Sequence, residues 1–140
     1  MTTDRLAPEP NPGPGATPVL AQLTCAPPLR ERDLMDGDQA AGIAGLFKVL
    51  ANDTRLRLLH ALARRGEVRV GDLAGELGMS QQAVSNQLQR LADQRILATR
   101  RAGTSIYYRI VDSCVPALLE LGWCVLDSTG TPAAPAPPER

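Results

Sequence analysis

Histidine is almost missing from this 140-residue chain: His60 is the only one. The sequence also has no Cys-His-Asp arrangement, no paired carboxylates in a pocket-like context and no glycine-rich phosphate loop. Such an inventory leaves little with which to build a catalytic centre and argues against an enzyme. No run of about 18 apolar residues occurs, so no membrane span is expected. The N-terminus lacks the basic-then-apolar order of a secretory signal. Cysteine is scarce as well. Cys25, Cys114 and Cys124 make an odd number, which fits free thiols in a reducing cytoplasm better than a disulfide framework. Proline is nearly excluded from the middle: eleven of the twelve lie in residues 1–28 or 132–140, and Pro116 is the exception.

That distribution divides the chain. Segments such as PEPNPGPGATP and TPAAPAPPER cannot supply a core. The sequence therefore predicts a disordered Pro-rich arm over residues 1–34, one folded domain over 35–128 and a disordered tail over 129–140. Roughly a hundred ordered residues suffice for a small core, helped by burial in a dimer. The net charge of zero hides an asymmetry. From Leu46 to Val111 there are 11 Lys and Arg against 5 Asp and Glu, and the acids gather nearer the ends. A basic middle in a neutral chain fits binding of nucleic acid by one face.

The segment SQQAVSNQLQRLADQRILATRRAGTSIYYR, Ser80 to Arg109, is the most informative. Ser80 is a good N-cap, and a helix is predicted from about Gln81 to Asp93. Val84, Leu88 and Leu91 give it one buried stripe. Its other face carries Gln81, Gln82, Ser85, Asn86 and Gln89, with Gln87 and Arg90 on the same helix. Amide and hydroxyl side chains both donate and accept, as base edges require, whereas an ordinary solvated face carries more Glu and Lys. The preceding VRVGDLAGELGM predicts a helix with Val70, Leu73, Ala74 and Leu77 on one face, closed by Gly78. Helix, tight turn, helix is the helix-turn-helix pattern. ILATRR and IYYRI then read as two strands about a turn holding Gly103, with Arg100, Arg101 and Thr104 expected at the tip to reach phosphates or a minor groove.

A first helix is expected from about Asp38 to Leu50, with Ile43, Leu46, Phe47 and Leu50 on one side. A second, DTRLRLLHALARR, is capped by Asn52 or Asp53, has Leu56, Leu59, Leu62 and Ala63 as its apolar positions, and ends at Gly66. Glu67 to Val70 is a candidate strand against the wing. The last helix, DSCVPALLELGWCVLDS, is apolar nearly all round, so it needs cover on two sides. In so small a chain the second cover is a partner subunit, which puts the dimer interface on the first and last helices. The fold class is thus mainly α with a small β-wing: a winged helix-turn-helix.

FKVLANDTRLRLLHAL, VGDLAGELGMSQQAVSNQLQRL and RRAGTSIYYRI together resemble the ArsR/SmtB family of bacterial repressors, over about Ala40 to Asp127. The resemblance implies a homodimer that binds a palindromic double-stranded operator and lets go when a metal, metalloid or oxidant binds. The family often has His where this chain has Gln87. Its zinc sensors carry Asp-x-His and then His-x-x-Glu in the last helix. Here Asp112-Ser113-Cys114 matches the first half with Cys for His, while Val125 and Ser128 stand where the second half would be. The cysteine-rich signature after the second helix is absent, and the second-helix Cys of the thiol-oxidation sensors falls about where His60 is.

Three readings of the cysteines remain open. As thiolate ligands they favour a soft ion such as As(III), Sb(III), Hg(II), Cd(II) or Cu(I), none of which folding requires. Alternatively they respond to oxidants or persulfides, or they are small buried hydrophobes. Ten helical residues span about 15 Å, too far for Cys114 and Cys124 of one helix to share an ion through bonds of about 2.3 Å. An antiparallel pair of last helices brings Cys114 to the partner's Cys124, with Cys25 as a third thiolate from the arm. A winged-helix protein-interaction module that never touches DNA is the remaining alternative, and it calls for acids or apolar groups on the exposed helix face.

Overall fold

In the computed structural model, which describes residues 27–130, five α-helices surround a three-stranded antiparallel sheet. The order is α1 (Gly37–Leu50), α2 (Asp53–Arg65), β1 (Glu67–Arg69), α3 (Val70–Leu77), α4 (Gln81–Asp93), β2 (Leu97–Ala102), β3 (Ser105–Ile110) and α5 (Cys114–Thr129). Within the stretch expected to be a loose arm, Leu29–Glu31 form one 3-10 turn. Cys25, with the rest of residues 1–26, and residues 131–140 lie outside the described residues.

Local chemistry sets the helix starts. Asp36 caps α1 in a capping box, its Oδ1 accepting from Gln39 N–H at 2.8 Å while Gln39 Oε1 accepts from Asp36 N–H at 3.1 Å. Asn52 caps α2 by accepting from Arg55 N–H. Ser80 caps α4 by accepting from Ala83 N–H. At α5 the N-cap residue Ser113 makes no side-chain cap bond; the preceding Asp112 accepts the Cys114 N–H at 2.8 Å, and this bond is the main reason its pKa lies below the usual carboxylate range. Gly66 and Gly78 close α2 and α3 at positive φ, 86° and 64°.

The core is one cluster of Leu58, Leu59, Leu62, Leu73, Val84, Leu88 and Leu91, backed by Val68, Leu97 and Tyr108 of the sheet. The stripe expected on α4 is the one buried. The stripe on α2 is buried only in part: Leu59 and Leu62 are inside as expected, Leu58 and Ala61 join them, and Leu56 and Ala63 face outward. LRLLHALA offers two overlapping apolar stripes, and packing against α4, α5 and β3 selects one of them.

Strand β3 is central, with β1 and β2 on its flanks. Ala102 faces Ser105, leaving Gly103 and Thr104 as a two-residue loop. Gly103 has φ 61° and Thr104 does not share the positive sign, the pattern of a II′ hairpin turn.

Helix α1 hardly touches this core. Leu50 is its one buried residue, and Ile43, Leu46 and Phe47 are exposed. Helix α5 buries only Val115 and Ala117 and leaves Trp123 51 % and Val125 59 % exposed. Trp123 meets the chain through His60 of α2, ring edge to ring face, 4.9 Å between centroids. The first and last helices thus present unpartnered apolar faces in the single chain.

Candidate nucleic-acid interface

The sequence of α4 builds a helix with two opposed characters. Burying Val84, Leu88 and Leu91 against α2, α3 and β2 forces Gln81, Gln82, Asn86 and Gln89 into solvent. The gap between the start of α3, the first half of α4 and the wing tip is a cleft of about 510 Å³. Gln81, Gln82, Ser85 and Thr104 all line it, together with Arg69, Asp72 and Ile106. Four residues predicted from sequence on two separate elements therefore share one concave polar surface. The cleft is lined largely with donors and acceptors, not a catalytic set.

The amides are arranged before any partner arrives. Gln82 donates through Nε2 to Asn86 Oδ1 at 2.9 Å, and Gln89 donates to Asp93 Oδ1 at 2.9 Å. Ser80 uses its hydroxyl oxygen for the cap. Gly71 of α3 lies behind Gln81: a Cβ there would meet Gln81 Nε2 at 3.5 Å.

Three residues expected in the interface stand elsewhere. Gln87 turns inward, with its Oε1 buried, because it falls on the core side of α4 next to Leu88 and Leu91. Arg90 lies toward the other end of the helix. There it lines a separate hollow of about 240 Å³ with Val49, Arg55, Asp93 and Gln94. Arg100 is not at the wing tip. It sits three residues before the loop, stacks its guanidinium 4.6 Å over the Tyr107 ring and donates through Nε to Glu67 Oε1 at 2.8 Å. That hydrogen bond, first among its causes, holds the Glu67 carboxyl below the usual carboxylate range. The tie is therefore intact above the ordinary carboxylate pKa and loosens only as pH falls through the lowered value.

Arg101 points the other way. It stands opposite Ile106, one of the cleft residues, and is exposed. By sequence the two arginines are equivalent, and Glu67 carries no signal because its partner is 33 residues away. Arg69 lines the cleft too, salt-bridged to Asp72 at 3.2 Å; that pair is local, but its place beside the wing follows from the pairing of Arg69 with Tyr107, which is distant in sequence. The wing arginines are accordingly expected to separate by experiment. Arg101→Ala should lower the slope of log affinity against log salt by about one, as expected when roughly one phosphate is no longer neutralised. Arg100→Ala should leave that slope nearly unchanged. Equal drops in slope in titrations of both variants would refute this division of labour.

Cys114 is half-buried at the first position of α5, and Cys124 is exposed ten residues on. Among the described residues of one chain, no three His, Cys, Asp or Glu side chains gather where an ion could be held. Among the described residues, Cys114 and Cys124 of one subunit are not brought together.

Comparison with known proteins places this geometry. A family model described as the MarR family matches residues 52–105. A transcriptional repressor SmtB homolog of Synechocystis is 45 % identical over 83 residues, which is 59 % of this chain and 62 % of the relative, less than two thirds of its length. The crystal structure of the antimony-specific transcriptional repressor AntR is 58 % identical, with a TM-score of 0.66, covering 76 % of this chain and 96 % of that one. A homodimeric winged helix-turn-helix domain from Mycobacterium bovis, described as a possible ArsR-family regulator, is 35 % identical with a TM-score of 0.58, covering 69 % and 92 %.

Proposed function

The chain belongs to the ArsR/SmtB family of winged-helix transcriptional repressors, and from that premise we propose that it is a homodimeric, cytoplasmic repressor that leaves its operator when a soft trivalent metalloid binds cysteine thiolates. The single observation that carries DNA binding is the shared cleft of Gln81, Gln82, Ser85 and Thr104. The outward side of α4 carries the amides and hydroxyl of Gln81, Gln82, Ser85, Asn86 and Gln89 in place of the acids or apolar groups that a protein-docking module would need. Paired subunits set two α4 helices for successive major grooves about 34 Å apart.

The inducer reading rests on the chemistry of the donors and on likeness to the antimony-specific repressor. Cys114 is the first residue of α5 and Cys124 the eleventh of its 16, on a helix whose apolar face is open in the single chain. An antiparallel α5 pair joins Cys114 of one subunit to Cys124 of the other. Cys25 from the arm is a candidate third thiolate. Sulfur-only ligation favours Sb(III) or As(III) over Zn(II), which takes mixed ligands readily. When such an ion is bound, it ties the two α5 helices together across the interface. Release of DNA then requires that the ion bind the free form more tightly than the DNA-bound form, since only differential affinity shifts the equilibrium.

Operator binding tests the first half of the proposal. Ser85→Ala with Asn86→Ala should weaken specific binding by roughly 1–3 kcal/mol for each base edge no longer read, while the fold survives because both side chains lie outside the core. Unchanged binding of the chain's own upstream DNA by the double variant would remove α4 as the reading element.

A further inference from the structure

We infer that Gln82 converts Asn86 into a donor-only reader, so that Asn86 selects guanine and not adenine in the operator. The inference rests on the DNA-reading role of α4 proposed above. An asparagine amide ordinarily recognises adenine, donating to N7 and accepting from N6 with its nitrogen and oxygen side by side. Here the oxygen is engaged. Gln82 Nε2, one turn earlier on the exposed face of α4, donates to Asn86 Oδ1 at 2.9 Å. The oxygen keeps a second lone pair. Bidentate contact with adenine, however, needs the whole amide edge turned to one base, and Gln82 already occupies the oxygen side. What Asn86 still offers outward is its Nδ2 hydrogens. Guanine presents two acceptors in the major groove, N7 and O6, and no donor there. A donor-only group matches that edge and leaves no acceptor of its own facing another acceptor.

Gln82 keeps its own oxygen and one N–H, since a primary amide carries two N–H groups and one is spent on Asn86. It is thus a positioning residue for Asn86, whatever base it meets itself. The arrangement predisposes the recognition helix before binding, because the pair is formed in the free protein. Preorganisation of this kind spares side-chain ordering on association.

The test is selection of DNA half-sites from a randomised pool by the intact dimer, comparing the unaltered chain with Asn86→Ala and Gln82→Ala. Both side chains are exposed, so thermal melts should coincide and show that all three proteins are folded. Asn86→Ala identifies the position it reads, as the column whose preference flattens. In the unaltered chain that column should favour guanine over adenine by about tenfold. In Gln82→Ala, where the Asn86 oxygen is released, the same column should turn toward adenine. A guanine preference that survives Gln82→Ala overturns the inference, as does an adenine preference in the unaltered chain. A profile that Asn86→Ala leaves intact overturns it too. If the unaltered chain selects no sequence at all, the failure belongs to the DNA-reading role itself.

Discussion

Mixed dimers of Cys114→Ser and Cys124→Ser subunits are expected to regain one metalloid site, although each homodimer on its own has none. Ten residues of helix separate the two sulfurs by about 15 Å, and thiolate bonds of about 2.3 Å cannot bridge that span. A site built across the dimer pairs Cys114 of one subunit with Cys124 of the other. In the mixed dimer, one such pair is Ser with Ser. The other is Cys with Cys, and it is complete. Sb(III) titration of operator release should therefore show no response in either homodimer and a response in the mixture, with about half the unaltered number of sites. If mixing restores nothing while the mixed dimers still bind operator, the cysteines are not paired across subunits. If the homodimers release DNA like the unaltered chain, the cysteines are not the sensor. Release by peroxide or a persulfide donor, with no response to any metal, would move the switch to thiol oxidation.

The second large effect concerns the faces of α1 and α5. Trp123→Asp is expected to give a monomer, because the partner surface would bury an unpaired carboxylate at a cost of several kcal/mol. Trp123 also leans on His60 within its own chain, so this variant alone mixes two effects. Val125→Asp separates them. Val125 is 59 % exposed in the single chain, and its replacement disturbs no intramolecular core. Sedimentation should report a species near 14.9 kDa in place of one twice as heavy. Operator affinity should fall by about 10²- to 10⁴-fold, since each α4 would then bind its half-site without the linkage to the other. A folded Val125→Asp dimer with full operator affinity would put the interface elsewhere.

Much of the fold and of the reading face is legible in the sequence. The buried stripe of α4, its Ser80 cap, the Gly78 closure and the Gly103 turn are local features: each depends on residues within a few positions, and short-range sterics and hydrogen bonds dictate them. The exposed amide face follows from the same periodicity, because burying one side of a helix exposes the other. The family resemblance comes from these local elements in their order. The choice between two apolar stripes on α2 is not local. Leu56 and Leu58 are equally apolar, and only the surfaces of α4, α5 and β3 decide which goes inside. The same holds for the wing. Arg100 and Arg101 are chemically identical neighbours, yet strand alternation puts them on opposite faces, where one finds Glu67 and Tyr107 and the other stands exposed opposite Ile106. Nor can periodicity place Gln87, which borders the stripe and turns its amide inward. The sequence by itself determined the elements, their caps and the chemistry carried on the reading helix, because those are set by neighbours along the chain. Tertiary structure alone decided which of several equivalent side chains is spent on the fold and which is left for a partner, because that depends on what other elements bring within a few ångströms.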